Sequence, residues 1–97
     1  MYYKVHVGDV NWAYRAKYML VRHGIESNWA DEALNDPNAL RITPDPSSKS
    51  GRSIRTIGFS PSARCFLTLI TVDEDAITYG VNGWSSNETD CKRYRKG

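Results

Sequence analysis

Three arginines and one histidine stand out by residue type. Arg52, Arg55 and Arg64 interrupt "GRSIRTIGFSPSARCFLTL", the stretch from Gly51 to Leu69, which otherwise reads as apolar or β-branched. A guanidinium keeps its charge and presents a planar fork that matches two oxygens of a phosphate or carboxylate, so arginines on neighbouring strands suit an anion. In the period of a strand, Arg55 is in phase with Ser53, Ile57 and Phe59, and Arg52 with Ile54 and Thr56. The two point to opposite faces unless a bulge intervenes, which makes Arg55 and Arg64 the better pair. The competing reading makes all three charges of an open face or edge that discourage aggregation. His23 is the interior histidine. An unperturbed imidazole titrates near neutrality and can move a proton. Just before Gly24, it equally suits the capping of free carbonyls at a helix end. Arg22 and Lys17 beside it either touch an anion or form the helix's wet face.

The elements that must position these residues are legible as patterns. "YYKVHV" at 2–7 alternates weakly, as a short strand does, and Gly8-Asp9 breaks it. Trp12, Ala16, Met19, Leu20 and His23 make one helical stripe over about 11–23, closed by Gly24. Ser27 or Asn28 can cap a second helix carrying Trp29, Ala30, Ala33 and Leu34, which Asp36-Pro37 ends. A strand is expected at 39–43, followed by the loop "TPDPSSKSG". Strands at about 52–59, 64–72 and 76–82 follow, with turns at Pro61-Ser62-Ala63 and Asp73-Glu74-Asp75. Ser85-Ser86-Asn87-Glu88 has the spacing of a capping box and opens a last helix to about Arg95. The expected fold is therefore α+β: two N-terminal helices, an antiparallel meander of about four strands, and a short C-terminal helix.

Composition bounds the rest. The 97 residues suit one domain with a modest core. The net charge of +2 argues for no partner by itself, but the charge is polarised. Five bases and one acid lie between Arg41 and Arg64, while Glu26 to Asp36 holds four acids and no base. That pattern fits a basic face toward an anion or ordinary solvated surface. Cys65 and Cys91 form no metal-type spacing and no disulfide framework, and no phosphate loop or cofactor motif is present. No apolar run nears the roughly 18 residues of a membrane span, and a cytoplasmic location is expected.

A set of motifs then carries a resemblance. "RHGI" at 22–25, "DEALNDP" at 31–37, "IGFS" at 57–60, Arg64 ahead of "TLITV", Tyr94 late in the final helix, and Trp12 occur in an order similar to the BrnT family of type II toxin–antitoxin toxins. The resemblance covers about residues 10–94. It implies a RelE-like fold, metal-independent cleavage of RNA leading to growth arrest, and an antitoxin partner, typically a ribbon-helix-helix DNA-binding protein. The chain also departs from the family. Ala13 stands where an Asp is usual, Ala16 and Met19 align with Lys and Asn, and Gly51-Arg52 replaces Gly-Glu. Asn82-Gly83-Trp84 replaces Ser-Ala-Arg, so a basic residue is lost.

Metal-independent RNA cleavage needs a base for the 2′-hydroxyl, cations for the phosphorane and an acid for the leaving 5′-oxygen. Under the resemblance, Arg55 and Arg64 hold phosphate and His23 supplies the base. Arg52, Trp84, Arg22, Lys17 and Tyr94 contact RNA, with Trp84 able to stack a base. The structural readings stay open beside these: Glu88 as a capping residue, Tyr94 and Trp84 as packing residues. The alternative function is a catalytically inactive partner-binding or nucleic-acid-binding module on the same fold.

Overall fold

A computed structural model describes residues 2–3 and 10–96. Among these, nine elements follow in chain order: β1 (Tyr2–Tyr3), β2 (Val10–Asn11), α1 (Ala16–His23), α2 (Ser27–Leu34), β3 (Leu40–Ile42), β4 (Ser53–Ser60), β5 (Cys65–Glu74), β6 (Ile77–Ser85) and α3 (Glu88–Lys96). The fold is α+β, with two helices, an antiparallel β4–β5–β6 meander and a C-terminal helix, as the patterns predict. Of the strand expected over 2–7, only Tyr2–Tyr3 is described; residues 4–9 lie outside the described residues. The sheet is larger than expected and mixed. Its order is β1-β3-β4-β5-β6-β2, and β2 pairs β6 in parallel at Val10↔Thr78 and Asn11↔Tyr79.

Alternation along β4 and β5 assigns the two faces. Gly58 and Ser60 meet α2, and Leu67 and Leu69 join Trp12, Met19, Ile25, Ala30, Ala33 and Leu34 in the main core. The opposite phase carries Arg55, Ile57, Phe66 and Thr68 toward α3, where Leu40, Ile42 and Ile57 form a smaller cluster closed by Tyr94. Glycine sets the spacing of the first layer. A Cβ at Gly58 would run into the Ala33 carbonyl, so α2 rests directly on the β4 backbone.

The turns differ from expectation by a residue or two. Ser60 pairs Cys65, which puts Arg64 inside the four-residue turn and not at the head of the strand. Its φ of 56° is left-handed, and its N–H donates to the Pro61 carbonyl at 3.2 Å. β5 runs on through Asp73 and Glu74, and the turn falls on Asp75-Ala76, with φ of 52° and 65°. Two left-handed residues between the paired Glu74 and Ile77 make a primed hairpin turn, whose twist matches the strands. Across the β5–β6 pair, Ile70 faces Asn82 and Thr71 faces Gly80, leaving Val81 as a bulge. Arg15 Nε donates to the Val81 carbonyl at 2.8 Å and satisfies it.

Helix ends also depart in detail. Gly24 closes α1 in the left-handed region, as its position predicts. Glu26, not Ser27 or Asn28, occupies the N-cap of α2, and its side chain makes no capping bond. The Ser85–Glu88 capping box is not used, because β6 continues through Ser85. Asn87 caps α3 instead, its Oδ1 accepting the Asp90 N–H at 2.9 Å, and Glu88 pairs with Lys92 across one turn at 3.5 Å.

Candidate functional site

The three hairpin arginines do not share a surface. β4 is eight residues long, about 25 Å at roughly 3.4 Å per residue, and separates Arg52 at one end from the Arg64 turn at the other. Arg52 is exposed and reaches Glu74 at 3.5 Å, a contact of little energetic weight in water. Arg55, between them, is not an open-face charge. Its Nε donates to Asp45 Oδ1 at 2.7 Å, and its Nη1 to both oxygens of Asp90 at 2.9 and 3.1 Å. The side chain is 11% exposed. Arg55 was expected to hold phosphate; its fork holds the molecule's own anions, and a phosphate there would have to compete with two fixed carboxylates.

Further bonds hold this network in place. Asp90 is 1% exposed and also accepts Thr68 Oγ1 at 2.9 Å and Arg93 Nη1 at 3.1 Å. Because Thr68 spends its proton on Asp90, Ser86 Oγ donates to Thr68 at 2.8 Å. Asp45 is placed by its N–H, which donates to the Ser53 carbonyl at 2.7 Å. The loop behind it is tightened where Gly51 N–H donates to Ser48 Oγ. Two guanidinium groups against two carboxylates leave the cluster close to neutral.

A second arrangement faces solvent. His23 ends α1 and is exposed, with its ring 5.9 Å from that of Trp84 and 6.4 Å from that of Tyr18. Arg15 lies over Tyr18 at 4.1 Å, and Arg22 is 5.8 Å from the same ring. Trp84 is half-buried, and the Arg55 guanidinium carbon is 6.0 Å from its ring. The helix spacing explains the outer part: Tyr18 is three residues from Arg15 and four from Arg22, so both cations reach it. The result is a strip of three rings with two guanidinium groups beside it. Its chemistry is base stacking, anion attraction and, through His23, proton transfer.

Arg64 is exposed, at the same end of the sheet as Trp84, since Cys65 Sγ lies 4.0 Å from Ser85 Oγ. Glu32 of α2 fixes its turn by accepting Ser60 Oγ at 2.8 Å, Ser62 N–H at 2.9 Å and Ser62 Oγ at 2.6 Å. These bonds, led by the Ser62 hydroxyl, hold the Glu32 carboxyl below its ordinary range. Tyr94 is elsewhere. Its hydroxyl donates to Asp36 Oδ2 at 2.7 Å and its ring lies 4.7 Å from that of Phe66. Burial, the hydrogen bond and the Asp36 charge push its pKa up to about 12. Tyr94, expected as an RNA contact, here clasps α3 to the end of α2. Lys17 is also apart, in a groove of about 230 Å³ with Ala16, Leu20, Glu26, Ser27 and Asn28.

Of the residues singled out from sequence, the fold gathers His23, Trp84 and Arg22, with the Arg55 guanidinium 6.0 Å from the Trp84 ring. Arg52, Lys17 and Tyr94 lie outside the strip. Sequence reasoning missed Arg15 and Tyr18, which the i, i+3 spacing beside His23 could have supplied. It also missed the role of Asp45 and Asp90, for which no local spacing exists. Among the described residues, no group of three or more His, Cys, Asp or Glu is arranged to hold a metal, and no helix is long and apolar enough to cross a membrane. No protein-family model matches the chain, and no curated protein matches it.

Proposed function

We propose that this chain is a toxin of the type II toxin–antitoxin kind, a metal-independent endoribonuclease that engages single-stranded RNA along the His23–Trp84 strip. The carrying observation is the exposed His23 imidazole 5.9 Å from the Trp84 ring, with Arg22 and the Arg15–Tyr18 pair alongside. Splayed RNA asks for π faces and fixed cations side by side. His23 takes the 2′-hydroxyl proton, the 2′-oxygen attacks phosphorus, and the bond to the 5′-oxygen breaks; that oxygen takes a proton from water, leaving a 2′,3′-cyclic phosphate and a 5′-hydroxyl, and His23 returns its proton to solvent. With Arg55 committed to carboxylates, the phosphorane charge falls to Arg22 and Arg64. The BrnT resemblance supports the same reading, in the cytoplasm and under an antitoxin of ribbon-helix-helix type.

A second reading is favoured by the capture of Arg55 together with Trp84 standing in place of a basic residue: a non-catalytic partner- or nucleic-acid-binding module. One experiment separates the two. The chain is induced without a partner gene, and growth and RNA integrity are followed for wild type, His23→Ala and Arg64→Ala. Arrest with RNA breakdown is expected, relieved about 100-fold or more in cleavage rate by His23→Ala while the protein stays folded. Normal growth and intact RNA at good soluble expression would transfer the proposal to the binding module.

A further inference from the structure

Between the end of α2 and the β4–β5 turn lies a groove of about 290 Å³. Pro37, Phe59 and Pro61 give it apolar walls, and the Phe59 ring is 37% exposed. Glu32 and Asp36 line it as well, and neutral donors fix both carboxylates. Glu32 accepts three bonds from Ser60 and Ser62. Asp36 accepts the N–H groups of Phe59 and Asn38 and the Tyr94 hydroxyl. A carboxylate has about four lone-pair sites, so each keeps room for another donor. Among the described residues, neither acid is in an ion pair. Two unanswered charges beside an aromatic ring and two prolines suit a long cation. Its stem lies on the apolar walls while its head meets carboxylate and ring.

The same patch carries such a cation. Arg64 stands three residues after Pro61, in the turn that Glu32 holds, and it is exposed. Among the described residues its side chain makes no ion pair. We infer that a second copy of this chain fills the groove, Arg64 of each copy entering the groove of the other about a two-fold axis beside the turn. An isologous contact needs a surface that complements itself, and an acidic groove with a free guanidinium on the same turn provides one. Ser62 and Ala63, between Pro61 and Arg64, are small enough for two such turns to approach closely. Nucleic acid is repelled by the groove's two carboxylates. A basic segment of another protein would meet the groove and leave Arg64 unused, whereas a second copy uses both. In the dimer Arg64 is committed to carboxylates and cannot answer a phosphorane, so association would hold the enzyme in a resting form. That consequence rests on the ribonuclease reading; the dimer does not.

The test is sedimentation velocity of the purified chain, without RNA, from about 1 μM to about 1 mM. A reversible monomer–dimer equilibrium is expected, weakening as salt rises from about 50 to about 500 mM. Arg64→Glu should weaken it about tenfold or more, because a two-fold contact counts each change twice. Phe59→Lys, which sets an ammonium in the groove, should do the same. Arg52→Glu makes an equal charge change at the far end of β4 and should associate as wild type does. An equimolar mixture of Arg64→Glu and Phe59→Lys regains one of the two contacts, so it should form dimers more readily than either variant alone. Circular dichroism checks that each variant is folded. A chain that stays monomeric throughout, a dimer unmoved by Arg64→Glu, or a mixture no better than its parts would overturn the inference. So would binding of an oligoarginine peptide by a chain that does not self-associate, which would assign the groove to another protein. Dimers of a chain that cleaves no RNA would keep this inference and remove the ribonuclease; a strictly monomeric chain that cleaves RNA would do the reverse.

Discussion

A guanidinium set between two nearly buried carboxylates cannot be removed quietly. Arg55→Ala leaves Asp45 and Asp90, 7% and 1% exposed, with their charges unanswered on that side. Arg93 still reaches Asp90, but only at one oxygen. Breaking a buried pair from one side typically costs about 3–5 kcal/mol, a large part of a small domain's stability. The urea midpoint of Arg55→Ala should fall accordingly, whereas Arg64→Ala, at an exposed turn, should stay within about 0.5 kcal/mol of wild type. Equal small effects would show that the network carries no weight. The distinction bears on function: loss of growth arrest in Arg55→Ala would report unfolding, not a missing phosphate ligand. The sequence displayed Arg55 as a charge in a strand, and that much was legible. Its partners were not, because Asp90 lies 35 residues away and only the folding of α3 over β5 delivers it. His23 and Trp84 were legible as types, but the contact between them belongs to the tertiary fold, since 61 residues separate them.

At the scale of elements, the meander was readable because Pro61 and the acidic run at 73–75 punctuate apolar strands. The register was not. Asp73, Glu74 and Asp75 look like a turn by composition, yet the pairing of Glu74 with Ile77 carries the strand further and forces the reversal onto Asp75-Ala76. Two-residue strands such as β2 leave no periodic trace at all, so the parallel edge was beyond reach. The forced turn has a measurable consequence. Ala76 sits at φ of 65°, where an L-residue pays about 1–2 kcal/mol. Glycine removes that penalty but loses about 0.5–1 kcal/mol in chain entropy. The balance predicts that Ala76→Gly stabilises the domain by roughly 0.5–1 kcal/mol and raises the thermal midpoint by roughly 2–8 °C. A midpoint unchanged or lowered would mean that the β5–β6 turn relaxes out of the left-handed region in solution.

Across the whole molecule, one carboxylate ties together layers that the sheet keeps apart. Asp36, just beyond α2, accepts the Phe59 N–H at 2.8 Å and the Tyr94 hydroxyl at 2.7 Å with the same oxygen. The helices on one face, strand β4 and helix α3 on the other thus meet at a single anion. Tyr94 must keep its proton for this to hold, since a phenolate would face the Asp36 charge with nothing to donate. That is why its pKa is raised, to about 12 from an ordinary 10. The sign follows from linkage: a group whose folded pKa lies above its unfolded one contributes stability that is whole below about pH 10 and is lost as pH rises toward about 12. Tyr94→Phe keeps the ring against Phe66 and deletes the hydroxyl. At pH 7 the wild type should be more stable than this variant by about 1 kcal/mol, the net worth of one hydrogen bond. Lysines and the other tyrosines also titrate above pH 10, so the difference between the two proteins is the quantity to follow. Urea unfolding at steps from pH 7 to pH 12 should show that difference steady to about pH 10 and shrinking, then vanishing or reversing, above it. A difference that stays constant through pH 12 would mean that the Tyr94 hydroxyl is not held on Asp36, and that α3 is fastened to the sheet by the Arg55–Asp90 pair and apolar contact alone.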